Sequence, residues 1–216
     1  MVENILNMKK IVIRLTSTVA LGAMLSGLVV FEASAADISE LTKDCADCHG
    51  KDGASTESDI PIIGGISEQY VLDSMAVYKE KERPCAETEY RTGENKGSKT
   101  DMCKIADDLS DEEIEELAKF FAGKEFVTVK QTTDPEKAAL GAKLHETGCE
   151  KCHEDGGRST EDDAGILAGQ WMPYLEQSFK DFISGDRAQP KKMKPKMEKL
   201  DATDIENLIH YYGSLQ

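Results

Sequence analysis

The 216 residues carry 26 basic and 41 acidic side chains, a net charge of −15. Such a surface repels phosphate and excludes nucleic acid as a ligand; the charge serves either a basic docking partner or solubility alone. With 39% hydrophobic residues, each half of a chain this long buries only a small core, and domains of that size lean on a cofactor or a crosslink.

Residues 1–35 read as an export signal. Lys9, Lys10 and Arg14 form a basic start, Val19 to Phe31 is apolar and uncharged, and Ala33-Ser34-Ala35 has the small-x-small pattern of a cleavage site. Met8 is a second candidate start. A retained membrane anchor is the competing reading, and the Ala-Ser-Ala step and the acidic stretch after it argue against that. Cleavage after Ala35 removes three positive and two negative charges, so the exported chain carries −15 − 1 = −16. No other stretch is long and apolar enough to span a membrane. The expected location is the periplasm.

The mature chain soon reaches Cys45-Ala46-Asp47-Cys48-His49, and the same pattern returns as Cys149-Glu150-Lys151-Cys152-His153. CxxCH is the attachment sequence for c-type haem: two thiols add to the vinyl groups and the adjacent His reaches the iron. A zinc knuckle would place its two CxxC pairs close together, and these are far apart. A thioredoxin-like pair would sit in a βαβ pattern, which is absent. A structural disulfide within CxxC would not need a His in both copies. Two copies behind an export signal imply two covalently attached haem c groups.

The duplication extends past the motifs. Gly65 and Tyr70 follow His49 at the same offsets at which Gly169 and Tyr174 follow His153. Each pair leads into a helix of apolar periodicity, with Val71, Met75 and Tyr78 in one copy and Met172, Leu175, Phe179 and Phe182 in the other. Each copy closes with a further helix: Leu109, Ile114, Leu117, Phe120 and Phe121 match Leu200, Ile205, Leu208, Tyr211 and Tyr212 at identical offsets. Ser110 with Glu113 predicts a capping box, and Asp201 a less clean start. Asp134-Pro135 is an N-cap followed by an N1 proline. The chain is therefore expected to be all-α: two tandem cytochrome c-like domains, 36–124 and 136–216, each wrapped around one haem and joined by a linker, 125–135, that includes the extended-looking Phe126–Val129.

The sixth iron ligand separates an electron carrier from an enzyme. The four histidines are His49, His145, His153 and His210, so the first domain has no second His, and its candidates are Met75 and Met102. Met102 precedes Leu109 by the same step (109 − 102 = 7) as Met193 precedes Leu200 (200 − 193 = 7). Met75 aligns with Phe179, which cannot ligate. Met102 and Met193 are therefore the expected ligands. Met197 is the second choice in its domain, and Met172 reads as core. His145 reads as a surface residue, or as a support behind the ligands, rather than a ligand itself. His210 reads as structural. A saturated His/Met iron binds no substrate, which favours electron transfer over catalysis.

The interval from His49 to Met102 (102 − 49 = 53) is longer than that from His153 to Met193 (193 − 153 = 40), so the first copy carries an insertion. Cys85 and Cys103 bracket that polar, turn-rich excess. In an oxidising compartment they are expected to form a disulfide, worth about 3 kcal/mol on the loop-entropy argument. The alternative is a redox-active thiol pair.

The mature chain resembles tandem dihaem class I cytochromes, including cytochrome c4. Gly141-Ala142-Lys143-Leu144-His145 through His153, Ile166-Leu167-Ala168-Gly169-Gln170-Trp171, Pro173-Tyr174-Leu175 and Lys191-Lys192-Met193 look like the dihaem subunit of flavocytochrome c sulfide dehydrogenase. That resemblance implies proximal and distal roles for His153 and Met193 and, through the repeat, for His49 and Met102. In small His/Met cytochromes c a backbone carbonyl about a dozen positions on accepts from the proximal ring. The resemblance points to Pro61 and Gly165, which stand at one offset from their histidines (61 − 49 = 165 − 153 = 12). It also implies a flavoprotein partner holding FAD on another chain, since no flavin motif is present here. The other readings are a free-standing shuttle between a quinol-oxidising complex and a terminal oxidase, and an open-haem peroxidase.

Overall fold

The chain enters through a short helix α1 (Ile38–Leu41) and then α2 (Lys43–His49), which carries the first CxxCH motif. The computed structural model describes residues 37–216, so the export-signal reading of residues 1–35 lies outside the described residues. A 3-10 turn at Lys51–Gly53 precedes α3 (Glu68–Lys79), where the Ser67 hydroxyl caps the first turn by accepting the Tyr70 N–H. The excess of the first copy folds as a two-stranded antiparallel ribbon, β1 (Thr88–Glu89) and β2 (Lys99–Thr100). Helices α4 (Met102–Asp108) and α5 (Asp111–Ala122) complete this half.

The second half begins with α6 (Pro135–Gly148), capped by Asp134 with proline in the first turn. A distorted turn α7 (Glu154–Gly157) follows, then α8 (Met172–Ser184), a short α9 (Lys194–Met197) and α10 (Ala202–Ser214). The predicted capping box is present at α5: Glu113 N–H donates to the Ser110 hydroxyl at 3.2 Å and Ser110 N–H to the Glu113 carboxylate at 2.8 Å. Helix α10 starts more cleanly than its sequence suggests. Asp204 N–H bonds to Asp201 at 2.8 Å and Asp201 N–H to Asp204 at 3.2 Å, so a shorter carboxylate closes the same box.

Helix α6 lies across α10, and Gly141 sets how near they come. A Cβ there would stand 2.1 Å from the Asn207 carbonyl oxygen, so only a residue without one fits. Leu175, Leu208, Ile209 and Tyr212 form the buried core under this crossing. Ile114, Leu117, Ala118 and Phe121 of α5 are buried in the first half. Each large apolar side chain stabilises the fold by roughly 1.5–3 kcal/mol relative to exposure.

The repeat is written into the backbone hydrogen bonds. Gly65 N–H reaches the Phe121 carbonyl at 2.8 Å, and Gly169 N–H reaches the Tyr212 carbonyl at 2.8 Å. Ile63 N–H to the Gly53 carbonyl and Leu167 N–H to the Gly157 carbonyl are both 2.9 Å. The first pair ties the loop after each motif to the same point on each terminal helix, and the second closes each loop on itself.

The halves meet along a polar seam. Buried Gln170 accepts the Ile62 N–H at 3.0 Å and donates to the Ile62 carbonyl at 3.0 Å, pairing with that backbone as a strand would. Trp171 Nε1 donates to the Ser55 carbonyl at 3.0 Å, and Ala188 N–H to the Glu82 carbonyl at 3.0 Å. Phe126–Val129 pairs with no strand; Val129 N–H bonds to the Gly169 carbonyl at 3.1 Å. No helix among the described residues is long and apolar enough to cross a membrane.

Candidate functional site

The first motif lies wholly on α2. His49 ends the helix and is buried, and its Nδ1–H donates to the Pro61 carbonyl at 2.8 Å. That bond fixes the tautomer and leaves Nε2 as the nitrogen free to ligate. Burial pushes the His49 pKa down, the Pro61 carbonyl opposes this, and the Arg83 charge adds to the lowering. The ring is thus held neutral, the form that binds iron.

Burial also pushes the Cys45 thiol up to about 12 and raises Cys48. A redox-active CxxC pair needs the opposite shift, toward thiolate. All four motif cysteines are unpaired, whereas Cys85 and Cys103 are joined by a disulfide across a Cα separation of 5.5 Å. Two free thiols one helical turn apart, beside a neutral and anchored imidazole, fit a covalently attached haem.

The second motif has the same residues in another local form. Helix α6 stops at Gly148, and Cys149–His153 continues as turns, with the His153 N–H bonded to the Cys149 carbonyl at 3.0 Å. Burial lowers the His153 pKa and the Gly165 carbonyl raises it, so that carbonyl faces the ring. No hydrogen bond closes between them, and His153 Nδ1 is buried without a partner. The two halves therefore differ: Pro61 is bonded to its histidine and Gly165 is not.

His145 is not at the surface. It is 1% exposed, its Nδ1 meets the Tyr212 hydroxyl at 3.0 Å, and its Nε2 meets the Glu150 carboxylate. With both ring nitrogens engaged it cannot ligate iron, and it braces the second motif against α10. His210 is structural: its Nδ1 accepts the Asp134 N–H at 3.1 Å, joining α10 to the cap of α6.

Met102 opens α4, half-buried, immediately before the disulfide. Met193 stands at the N-cap of α9, also half-buried. Met197 is in the buried core, and Met172 packs against the core residues of the second half. Met75 is half-buried within α3.

A model described as "Cytochrome c" matches residues 35–123, and one described as "Cytochrome C oxidase, cbb3-type, subunit III" matches residues 136–211. Cytochrome c4 of Stutzerimonas stutzeri is 31% identical over 185 residues, covering 79% of this chain and 84% of that protein. The chain belongs to the cytochrome c4 family. Cytochrome c4 of Pseudomonas aeruginosa is 27% identical over 221 residues, covering 96% of this chain and all of that one. The crystal structure of reduced cytochrome c4 from Pseudomonas stutzeri superposes with a TM-score of 0.65 at 30% identity, over 81% of this chain and 95% of that one. A thiosulfate dehydrogenase of Marichromatium purpuratum shares the fold at a TM-score of 0.64 and 22% identity, over 79% of this chain and 36% of that one. As a member of the cytochrome c4 family, the chain carries two covalently bound haem c groups and transfers electrons.

Sequence reasoning missed three contributors to this cytochrome c4 fold. Arg83 and Arg187 follow their motif histidines at one offset (83 − 49 = 187 − 153 = 34), so the repeat offered a signal. Gln170 gave none, because Ile66 stands at its repeat position. The β1–β2 ribbon showed only as a polar, turn-rich excess.

Proposed function

We propose that this chain is a periplasmic dihaem shuttle, with haem-binding domains at 36–124 and 136–216 joined by residues 125–135. The bond from His49 to the Pro61 carbonyl carries the reading, since it orients one imidazole with Nε2 free to ligate, while burial keeps that ring neutral. His49 with Met102, and His153 with Met193, would hold the two irons. Bound haem would supply a one-electron ferric/ferrous couple at each site. The chain's own residues would attach the group through Cys45, Cys48, Cys149 and Cys152, and the Pro61 carbonyl holds the first proximal ring. The route runs from a quinol-oxidising complex to a terminal oxidase. The chain has no catalytic residue of its own; a methionine on each iron leaves no position for a peroxidase reaction.

A second reading makes the chain the electron-accepting subunit of a flavoprotein sulfide dehydrogenase. The second-half sequences Ile166–Trp171 and Lys191–Met193 favour it. The discriminating experiment is an absorption spectrum of the native protein purified gently from its source. Haem bands on a monodisperse single chain support the shuttle. Haem bands with an FAD signal on a second chain, reduced by sulfide, overturn it in favour of the flavocytochrome.

A further inference from the structure

The two haem-attachment motifs differ most in what covers them. Over the first lies the β1–β2 hairpin. The Asp47 carbonyl, in the middle of the motif, accepts the Arg91 N–H at 2.9 Å and the Thr92 N–H at 3.0 Å. The Thr92 hydroxyl donates to the Asp47 carboxylate at 3.3 Å. Gly93 comes so close that a Cβ would sit 2.0 Å from that carboxylate. Cys48 Sγ is 4.0 Å from the Glu89 carbonyl oxygen, and Arg91 pairs with Asp59 at 2.6 Å. The Cys85–Cys103 disulfide pins the base of the hairpin beside Met102.

Among the described residues no hairpin lies over the second motif, whose half lacks the insertion. Lys151 and Cys152 are both exposed. Around Met193 the surface turns basic: Lys191, Lys192, Lys194 and Lys196 are exposed, and none forms an ion pair among the described residues. Residues 191–199 hold five lysines and one glutamate, 5 − 1 = +4, whereas the matching residues 100–108 hold one lysine and three aspartates, 1 − 3 = −2. These lysines flank Met193, the expected distal ligand of the second site, on and beside the short helix α9.

We propose that the disulfide-pinned hairpin screens the first haem from partners, and that an acidic redox protein docks on the lysines around the second. The inference rests on the two-domain haem reading above. The chain is acidic overall, and residues 150–163 around the motif itself hold two basic and six acidic side chains, 2 − 6 = −4, but the segment that bears Met193 has the opposite sign. On a chain this acidic, an acidic partner is repelled from every other approach, so steering and orientation come from one patch. The first haem then exchanges electrons through the second.

The test uses ferric holoprotein, first assayed for two haems per chain; a lower haem count would defeat the haem reading rather than this one. An acidic flavodoxin hydroquinone serves as the protein reductant, and neutral lumiflavin semiquinone as the small control. The flavodoxin rate should fall as ionic strength rises. It should drop about ten-fold in K191E/K192E/K194E, with the lumiflavin rate unchanged. A neutral gadolinium chelate should broaden the haem-methyl proton resonances of the second haem and spare the first. Deleting residues 87–98 should expose the first haem to the same broadening. If that deletion fails to fold, the double variant R91Q/T92V, which loses the Asp59 ion pair and the Thr92 hydroxyl bond, should raise it part-way. Equal broadening of both haems in the unaltered protein, or a flavodoxin rate indifferent to salt and to charge reversal, overturns the proposal.

Discussion

Arg83 donates a hydrogen bond to the Tyr174 hydroxyl at 3.1 Å across the seam between the halves, and Arg187 donates in the other direction to Tyr70 at 3.3 Å. The exchange is reciprocal: the two arginines hold equivalent positions in their copies, and so do the two tyrosines. Arg83 is buried, with its guanidinium 4.6 Å over the Tyr78 ring. Removing the Tyr174 hydroxyl leaves a buried donor without its acceptor. Tyr174→Phe should therefore cost roughly 1–3 kcal/mol in guanidinium unfolding of the holoprotein.

The same tyrosine makes stability depend on pH. Burial raises the Tyr174 pKa, but Arg83 and Arg187 together outweigh it, and the net shift is downward from 10.0. The folded state thus favours the phenolate more than the unfolded chain does. This stabilisation is complete above the ordinary tyrosine value and is lost as pH falls through the depressed folded value. Unfolding midpoints measured from neutral pH toward about 10 should rise less in Tyr174→Phe than in the unaltered protein.

Gln170 gives a sharper structural test. Its amide satisfies both the N–H and the carbonyl of Ile62, which is 1% exposed. Gln170→Leu keeps the volume and abandons both backbone groups, so a loss of about 2–4 kcal/mol is expected. Hydrogen exchange at the Ile62 amide should quicken in parallel, and unchanged exchange would show that water replaces the glutamine.

At the helix crossing, Gly141→Ala should be costly in spite of alanine's better helix propensity. The added methyl meets the Asn207 carbonyl carbon at 2.6 Å as well as its oxygen, and backbone cannot rotate away. A penalty of at least about 1–3 kcal/mol follows, and a rise in Tm would contradict this packing.

Replacing Met102 or Met193 by Ala should open one iron to exogenous imidazole or cyanide and produce a high-spin signal, each variant affecting one haem. A spectrum that stays low-spin in both variants would move the ligand to another residue, with Met197 and Met75 the next to try.

Much of this was legible from the sequence because the fold is built twice. Identical offsets for Gly65 and Gly169, and for Phe121 and Tyr212, report positions where a loop must meet a terminal helix, and repetition turns a weak pattern into a strong one. The capping box at Ser110 was readable because its chemistry is local. For His145 the sequence left a surface position and a supporting role open, and only the tertiary approach of Tyr212 decides for the buried, supporting one. The ribbon at Thr88–Thr100 escaped notice because strands this short leave no alternation to detect.

The pinned hairpin also orders the birth of the molecule. Six cysteines share one chain: Cys85 and Cys103 join as a disulfide, and the four motif cysteines must stay thiols until haem is attached. Once Cys85 and Cys103 have joined, Thr92 and Glu89 rest against Asp47 and Cys48, on the ground where an attaching enzyme must stand. An open loop leaves Cys45 and Cys48 the freer approach for haem. A chain that joined Cys85 to Cys103 first would carry its cover before its cargo.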